Sequence, residues 1–274
     1  MIRRPRLATF INDRLISIAR QQNALIVHPH CQRTGGGMFR KQVLARVFGE
    51  DRIYSRLFIS DAKRWSRLKE ADLAGFSVYS DLHNYVDIGL TRPHVAVALV
   101  RDPVYRAVAL YHFVRRTAGH RHHLLANQLG LEEFYRRASS RDPTYFRNVQ
   151  CRRICGRGDA SRALAFIDTH YIGVGFMAEL DLFVRVLCQA LRWPSIELKS
   201  NQPDSERYGA ELTPRFRETV LADNREDQDL FEVLSVGPPF GHLGRRLKRH
   251  IQAWATESRD LSLAALSRLT GPHT

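Results

Sequence analysis

Two segments of the chain carry residue types and spacings suited to anion chemistry. The first is His30-Cys-Gln-Arg33-Thr34-Gly35-Gly36-Gly37-Met38. Successive glycines let backbone N–H groups approach a phosphate or sulfate closely, and Arg33 and Thr34 add a charge and a hydroxyl. It is not a Walker A loop, because GxxxxGK[ST] is absent. The second is Arg101-Asp-Pro103, followed by Arg106 and Tyr111. A cation at the end of a buried strand, where a helix begins, stands where open α/β sheets bind their ligands. Each segment also has a purely structural use: a tight turn for the glycines, a helix cap for Asp102, an ion pair for Arg106.

The elements around them fit that placement. Residues 23–28 read as a short buried strand that runs into the glycines, and residues 38–48 have a helical pattern. Strand, glycine turn and helix together present N–H groups and a helix N-terminus to an anion. His94–Val100 (HVAVALV) is a continuous apolar run, the mark of a strand buried on both faces of a parallel sheet. Residues 104–116 form a strong helix candidate with Pro103 in its first turn. An amphipathic first helix is predicted over residues 5–21, a strand within 50–60 and a polar helix over 62–73. Helices are predicted over 131–139, 144–155, 160–168 and 180–191, with a short strand at Tyr171–Phe176 among them. This alternation predicts an α/β fold: a small parallel sheet flanked by many helices.

The chain has 274 residues, 44 % hydrophobic and 26 % charged, the proportions of a globular protein rather than a disordered or collagenous one. The formal charge is +14 and the pI near 10.2, so anionic partners are eligible. Only Lys41, Lys63, Lys69, Lys199 and Lys248 are lysines among the 42 basic residues. Such an arginine excess also follows from GC-rich coding, so charge alone does not establish a polyanion partner. Cys31, Cys151, Cys155 and Cys188 show no CxxC spacing. With no signal core and no long apolar run, this predicts free thiols and a cytoplasmic protein.

Taken together and in this order, the two anion segments resemble the sulfotransferase superfamily, in particular the Golgi-type carbohydrate sulfotransferases and their bacterial relatives. That family's first loop reads roughly H-x-P-K-T-[AG]-G-[ST]-[ST], which falls on residues 30–38, and its second motif, R-D-P-x-x-R-x-x-S-x-Y, falls on 101–111. Asn148-Val-Gln150-Cys-Arg152-Arg-Ile-Cys-Gly156 is similar to its N-x-Q-T-R-Y-L-x-G segment. Residues 173–183 loosely match its G-x-x-E-x-x-D stretch, and 198–207 (LKSNQPDSER) is similar to a loop with a late asparagine. Asn224-Arg-Glu-Asp227-Gln-Asp-Leu230-Phe231 resembles its N-x-x-D-x-x-L-Y. The resemblance spans residues 23–234.

It implies a P-loop-like three-layer fold and transfer of a sulfuryl group from 3′-phosphoadenosine 5′-phosphosulfate to a hydroxyl of a carbohydrate or similar acceptor, which an arginine-rich cleft would suit if anionic. No metal is implied. Arg33, Thr34, Gly35, Gly36, Gly37 and Met38 would hold the 5′-phosphosulfate, and Arg101, with the Ala109 position and Arg152, the 3′-phosphate. Arg33 would also act catalytically, and His83 is the candidate base, with His112 behind it. The chain departs from the family at Arg33 (lysine in the family), at Gly37 and Met38 (hydroxyls), at Ala109 (serine) and at Phe76, where several relatives carry the histidine of a Gly-His pair. These departures motivate the alternative: a degenerate relative that binds nucleotide or anionic glycan without turnover.

Domain boundaries are expected at 1–22 (an N-terminal helix on the domain), 23–234 and 235–274. The last is a basic amphipathic tail that packs on the domain or on a second subunit, or contacts a membrane surface. His120, His122 and His123 lack a carboxylate or cysteine at ligand spacing, which argues against a metal site. No helix-turn-helix, zinc-finger or RNA-binding signature points to nucleic acid.

Overall fold

The computed structural model describes residues 10–21, 23–55, 70–82, 84–85, 89–198 and 207–236. The candidate base His83 and all but residues 235–236 of the tail lie outside them. A six-stranded sheet runs in the order β1 (Phe10–Ile11), β6 (Tyr171–Phe176), β5 (His94–Val100), β2 (Leu25–Pro29), β4 (Val78–Asp81), β3 (Ile53–Tyr54). Five strands are parallel, and only β1 is antiparallel, on the β6 edge. β2, the first parallel strand, therefore lies in the middle. From β2 the chain runs to β3 at one edge, returns to β4 between β3 and β2, and then crosses to β5 on the other side of β2.

Alternation within the strands explains the layers. Leu25, Val27, Tyr79, Ala96, Ala98 and Val100 face one way and Ile26, Val78, Val95, Val97 and Leu99 the other, each set inside its own apolar cluster. Against the second set pack α1 (Asp13–Ala19), α2 (residues 36–48) and α9 (Leu180–Leu191). α2 consists of Gly36–Phe39, a π-helical stretch Arg40–Leu44, and Ala45–Phe48. Against the first set pack α7 (Val149–Cys155), α8 (Ala160–His170) and α11 (Arg225–Val236). With no polar face, β2 and β5 are strands only a covered parallel sheet can use. A third cluster joins α3 (Pro103–Arg116), α4 (His123–Gln128), α5 (Leu131–Arg141), α6 (Pro143–Phe146) and α10 (Pro214–Asp223).

The strands expected at 94–100 and 171–176 stand as read. Four expectations change. The helix expected over 5–21 is described only as Asp13–Ala19, because Phe10–Ile11 pair with β6 as the edge strand β1. The strand within 50–60 is two residues long, and only 70–73 of the predicted 62–73 helix is described, as a 3-10 turn. β4 was not anticipated. The helix expected over 144–155 is two, α6 and α7, because Asn148 adopts a left-handed backbone (φ 47°) between them. Among the described residues, no helix is long and apolar enough to cross a membrane.

Candidate functional site

β2 and β5 are hydrogen-bonded parallel neighbours, so the turns that follow them open at the same edge of the sheet. Arg101, 5 % exposed, reaches back across that edge, and its Nη1 donates to the Arg33 carbonyl at 2.8 Å. The glycine loop and the Arg-Asp-Pro turn are thus one piece of structure. Asp102 accepts from the N–H groups of Val104 (2.8 Å) and Tyr105 (3.2 Å), which starts α3 immediately after the turn with Pro103 in its first turn.

The loop turns sharply and is closely packed on one side. Arg33 and Gly35 both have left-handed φ (68° and 94°), and a Cβ on Gly35 would collide with the Met177 sulfur. A Cβ on Gly36 would strike the His30 ring, whereas one on Gly37 would meet nothing within 4 Å. Gly37 therefore borders open space, and with Gly36 it lies in the first turn of α2, where N–H groups lack intrahelical acceptors and the helix dipole is positive. Met38 packs against the apolar face beneath. Thr34 behaves differently from the expectation: its buried hydroxyl donates to the Cys31 carbonyl at 2.9 Å, so that proton serves the loop itself. Burial pushes the neighbouring Cys31 thiol up to about 11, which makes it unreactive.

Around the loop the charges are cationic. Burial, and then the charge of Arg101, hold the Arg33 guanidinium below its ordinary value; Arg116 and Arg207 act in the same direction and the Tyr208 phenol opposes them. The Arg33 guanidinium carbon lies 5.2 Å from the Phe113 ring centre, and its buried Nε has no partner among the described residues. Tyr208, 4 % exposed, is a platform for the guanidinium carbons of Arg207 (5.2 Å) and Arg101 (5.6 Å). Clustered arginines with a buried, unpaired N–H and an open glycine face fit a phosphate or sulfate, which each arginine fork can grip at two points.

Two of the later segments form the support. Gln150 holds Arg101 at both backbone atoms: its Oε1 accepts from the Arg101 N–H (2.8 Å) and its Nε2 donates to the Arg101 carbonyl (2.9 Å). Asp227, fully buried, accepts from the N–H groups of Gln150 (3.0 Å) and Cys151 (2.9 Å) at the start of α7. The Asn148 N–H donates to Asn224 Oδ1 (3.0 Å), while Asn148 Oδ1 accepts from the Asp227 N–H (3.3 Å). Residues 148–150 and 224–227, distant in sequence, are one buried polar network that fixes the Arg101 turn.

Other expected residues stand elsewhere. Ala109 is fully buried in the α3 packing and presents nothing to a ligand. Arg152 donates from Nε to the Arg147 carbonyl (3.4 Å), with its guanidinium near Gly158; its neighbour Arg153 is the residue whose charge acts on His30 and Cys31. Arg106 is buried, with Nη2 donating to the Phe146 carbonyl at 2.8 Å. Phe76 precedes β4, at the end of that strand remote from the loop, and packs 5.2 Å from the Tyr54 ring. His112 pairs with Glu211 at 2.8 Å and stacks on Tyr208. Among the described residues no group of three or more His, Cys, Asp or Glu is placed to hold a metal.

Phe113, Arg153, Met177, Arg207 and Tyr208 were given no role from the sequence, and Gln150, which the resemblance marked within its segment, had no role assigned there. The Arg207-Tyr208 dipeptide was the one available signal, a cation beside an aromatic in a polar stretch. No protein-family model matches the chain, and no curated protein matches it, so the arrangement of these residues stands by itself.

Proposed function

We propose that the chain is a sulfotransferase of P-loop-like architecture that takes a sulfuryl group from 3′-phosphoadenosine 5′-phosphosulfate to a hydroxyl of a carbohydrate or similar acceptor. The observation that supports it most is the Arg101–Arg33 contact, which joins two anion-binding segments at adjacent strand ends. The central position of β2, followed by a glycine loop and a helix N-terminus, supports the same reading.

In this reading the N–H groups of Gly36 and Gly37 and the Arg33 guanidinium hold the 5′-phosphosulfate, and Arg101 and Arg207 hold the 3′-phosphate. The acceptor oxygen bonds to sulfur in line as the bond from sulfur to the bridging phosphate oxygen breaks, and adenosine 3′,5′-bisphosphate leaves. Arg33 remains charged throughout, so it stabilises the charge growing on the leaving phosphate and does not protonate it. The acceptor proton passes to a base, for which His83 is the residue the sequence offers.

A second reading, nucleotide binding without turnover, is favoured by Ala109, buried where the family places a phosphate-binding serine. Turnover of isotope-labelled donor separates the two. A sulfated product that disappears in R33A and R101A supports transfer; nucleotide binding without product on any glycan supports the second reading.

A further inference from the structure

The last turns of α3 carry a cationic hollow. His112, Arg115, Arg116 and Asn127 line a space of about 170 Å³. Residues three and four apart share a helix face, so His112 stands with Arg115 and Arg116, and Phe113 with Arg116. Phe113 is the ring on which the Arg33 guanidinium rests, 5.2 Å away, so Arg33 extends from the glycine loop towards this hollow. Arg116 is accordingly one of the charges that depress Arg33. No carboxylate lines the hollow. Glu211, held by the lining residue His112, is engaged by its Nε2 at 2.8 Å. The Arg115 guanidinium is spread over the Tyr111 ring at 5.4 Å, which fixes the cation without neutralising it.

We infer that this hollow is the subsite for an anionic group, sulfate or carboxylate, on a polysaccharide acceptor, with Arg33 bridging it to the glycine loop. This rests on the sulfuryl-transfer reading of that loop. Planar arginine forks match sulfate and carboxylate oxygens in pairs. A polysaccharide is favoured over single-stranded nucleic acid because the rings of the strip are engaged: Tyr111 is buried, Arg33 covers Phe113, and His112 stacks on Tyr208 while bonding Glu211.

The test uses the full chain and the R115A/R116A double variant, whose truncated side chains are exposed. Three probes are titrated by calorimetry: a sulfated dextran oligosaccharide, oligothymidylate of equal charge, and adenosine 3′,5′-bisphosphate. The double variant is expected to lose at least tenfold in affinity for the sulfated oligosaccharide and less than threefold for the bisphosphate, with the oligosaccharide loss shrinking in high salt. Equal oligosaccharide affinity in the two proteins overturns the inference. So does an equal loss on oligothymidylate, which would make the hollow a general polyanion surface. Failure of the wild type to bind the bisphosphate overturns the donor reading instead, and the oligosaccharide comparison still judges the hollow.

Discussion

Gly35 and Gly37 sit two residues apart and answer to different constraints. Gly35 combines a φ of 94° with a Cβ position blocked by Met177, so G35A should cost about 1–3 kcal/mol in backbone strain and collision, read as a lower Tm. Gly37 has open space before it and lies in a helix, where glycine is itself unfavourable by roughly 1 kcal/mol. G37S should therefore leave Tm unchanged or raised, and its added hydroxyl should tighten adenosine 3′,5′-bisphosphate binding by about tenfold, one charge-assisted hydrogen bond. Weaker binding in G37S would show that the loop does not face the anion. The glycine run was legible as a turn between a strand and a helix because successive glycines allow close backbone approach wherever they stand. Which of the three is obligatory was not, because that depends on Met177 and His30, brought in by tertiary packing.

α7 and the turn before it show what pattern reading at the level of elements misses. Residues 144–155 read as one helix because the apolar spacing is continuous through the break. Asn148 breaks it with a left-handed backbone that its bonds to Asn224 and Asp227 hold in place, and these partners lie more than 70 residues away. By contrast, β5 and β6 were readable, since an apolar run flanked by polar residues needs no distant partner to identify it. The support makes a sharp prediction. Removing the Gln150 amide leaves the Arg101 N–H and carbonyl without those partners in a buried site, at about 1–3 kcal/mol for each unmet group. Q150A should lower Tm by several degrees and weaken bisphosphate binding through displacement of the Arg101 turn. Unchanged affinity at reduced Tm would mean that Gln150 serves stability alone. D227A should destabilise by about 3 kcal/mol or above, because two N–H groups at the α7 start lose a charged acceptor.

At the scale of the molecule, the positive charge meets buried histidines at the same sheet edge. Burial, then the charges of Arg153, Arg40 and Arg33, lowers His30 to about 4, and burial likewise lowers His28, which shares a 2.9 Å hydrogen bond with Ser80. His120 is lowered to about 4, by burial first and then His122 and Arg121. A histidine that stays neutral in the fold but protonates near 6.5 when unfolded lets the unfolded state bind more protons between those values. Stability should be full above pH 6.5 and fall as the pH drops towards 4, with His30 alone contributing about 3 kcal/mol across that window. Denaturant midpoints from pH 7 to 4 should show the decline, and H30Q should flatten it; an unchanged slope in H30Q would remove His30 from the cause. Bound bisphosphate should oppose the decline, because its charge offsets the arginines that depress His30. The net charge was visible in the sequence. Its concentration at Arg33, Arg101, Arg116 and Arg207 was not, because those residues come together only when β2, β5, the end of α3 and the segment before α10 are assembled.

The central claim is that the turns after β2 and β5 form one site for a nucleotide carrying two anionic groups. Calorimetric titration of adenosine 3′,5′-bisphosphate into the wild type, R33A and R101A tests it most directly, with each arginine worth roughly 1.5–3 kcal/mol of charged hydrogen bonding. Saturable one-to-one binding by the wild type, weakened ten- to a hundred-fold in each variant, is the predicted result. Equal binding by all three proteins, or none by the wild type, would contradict it.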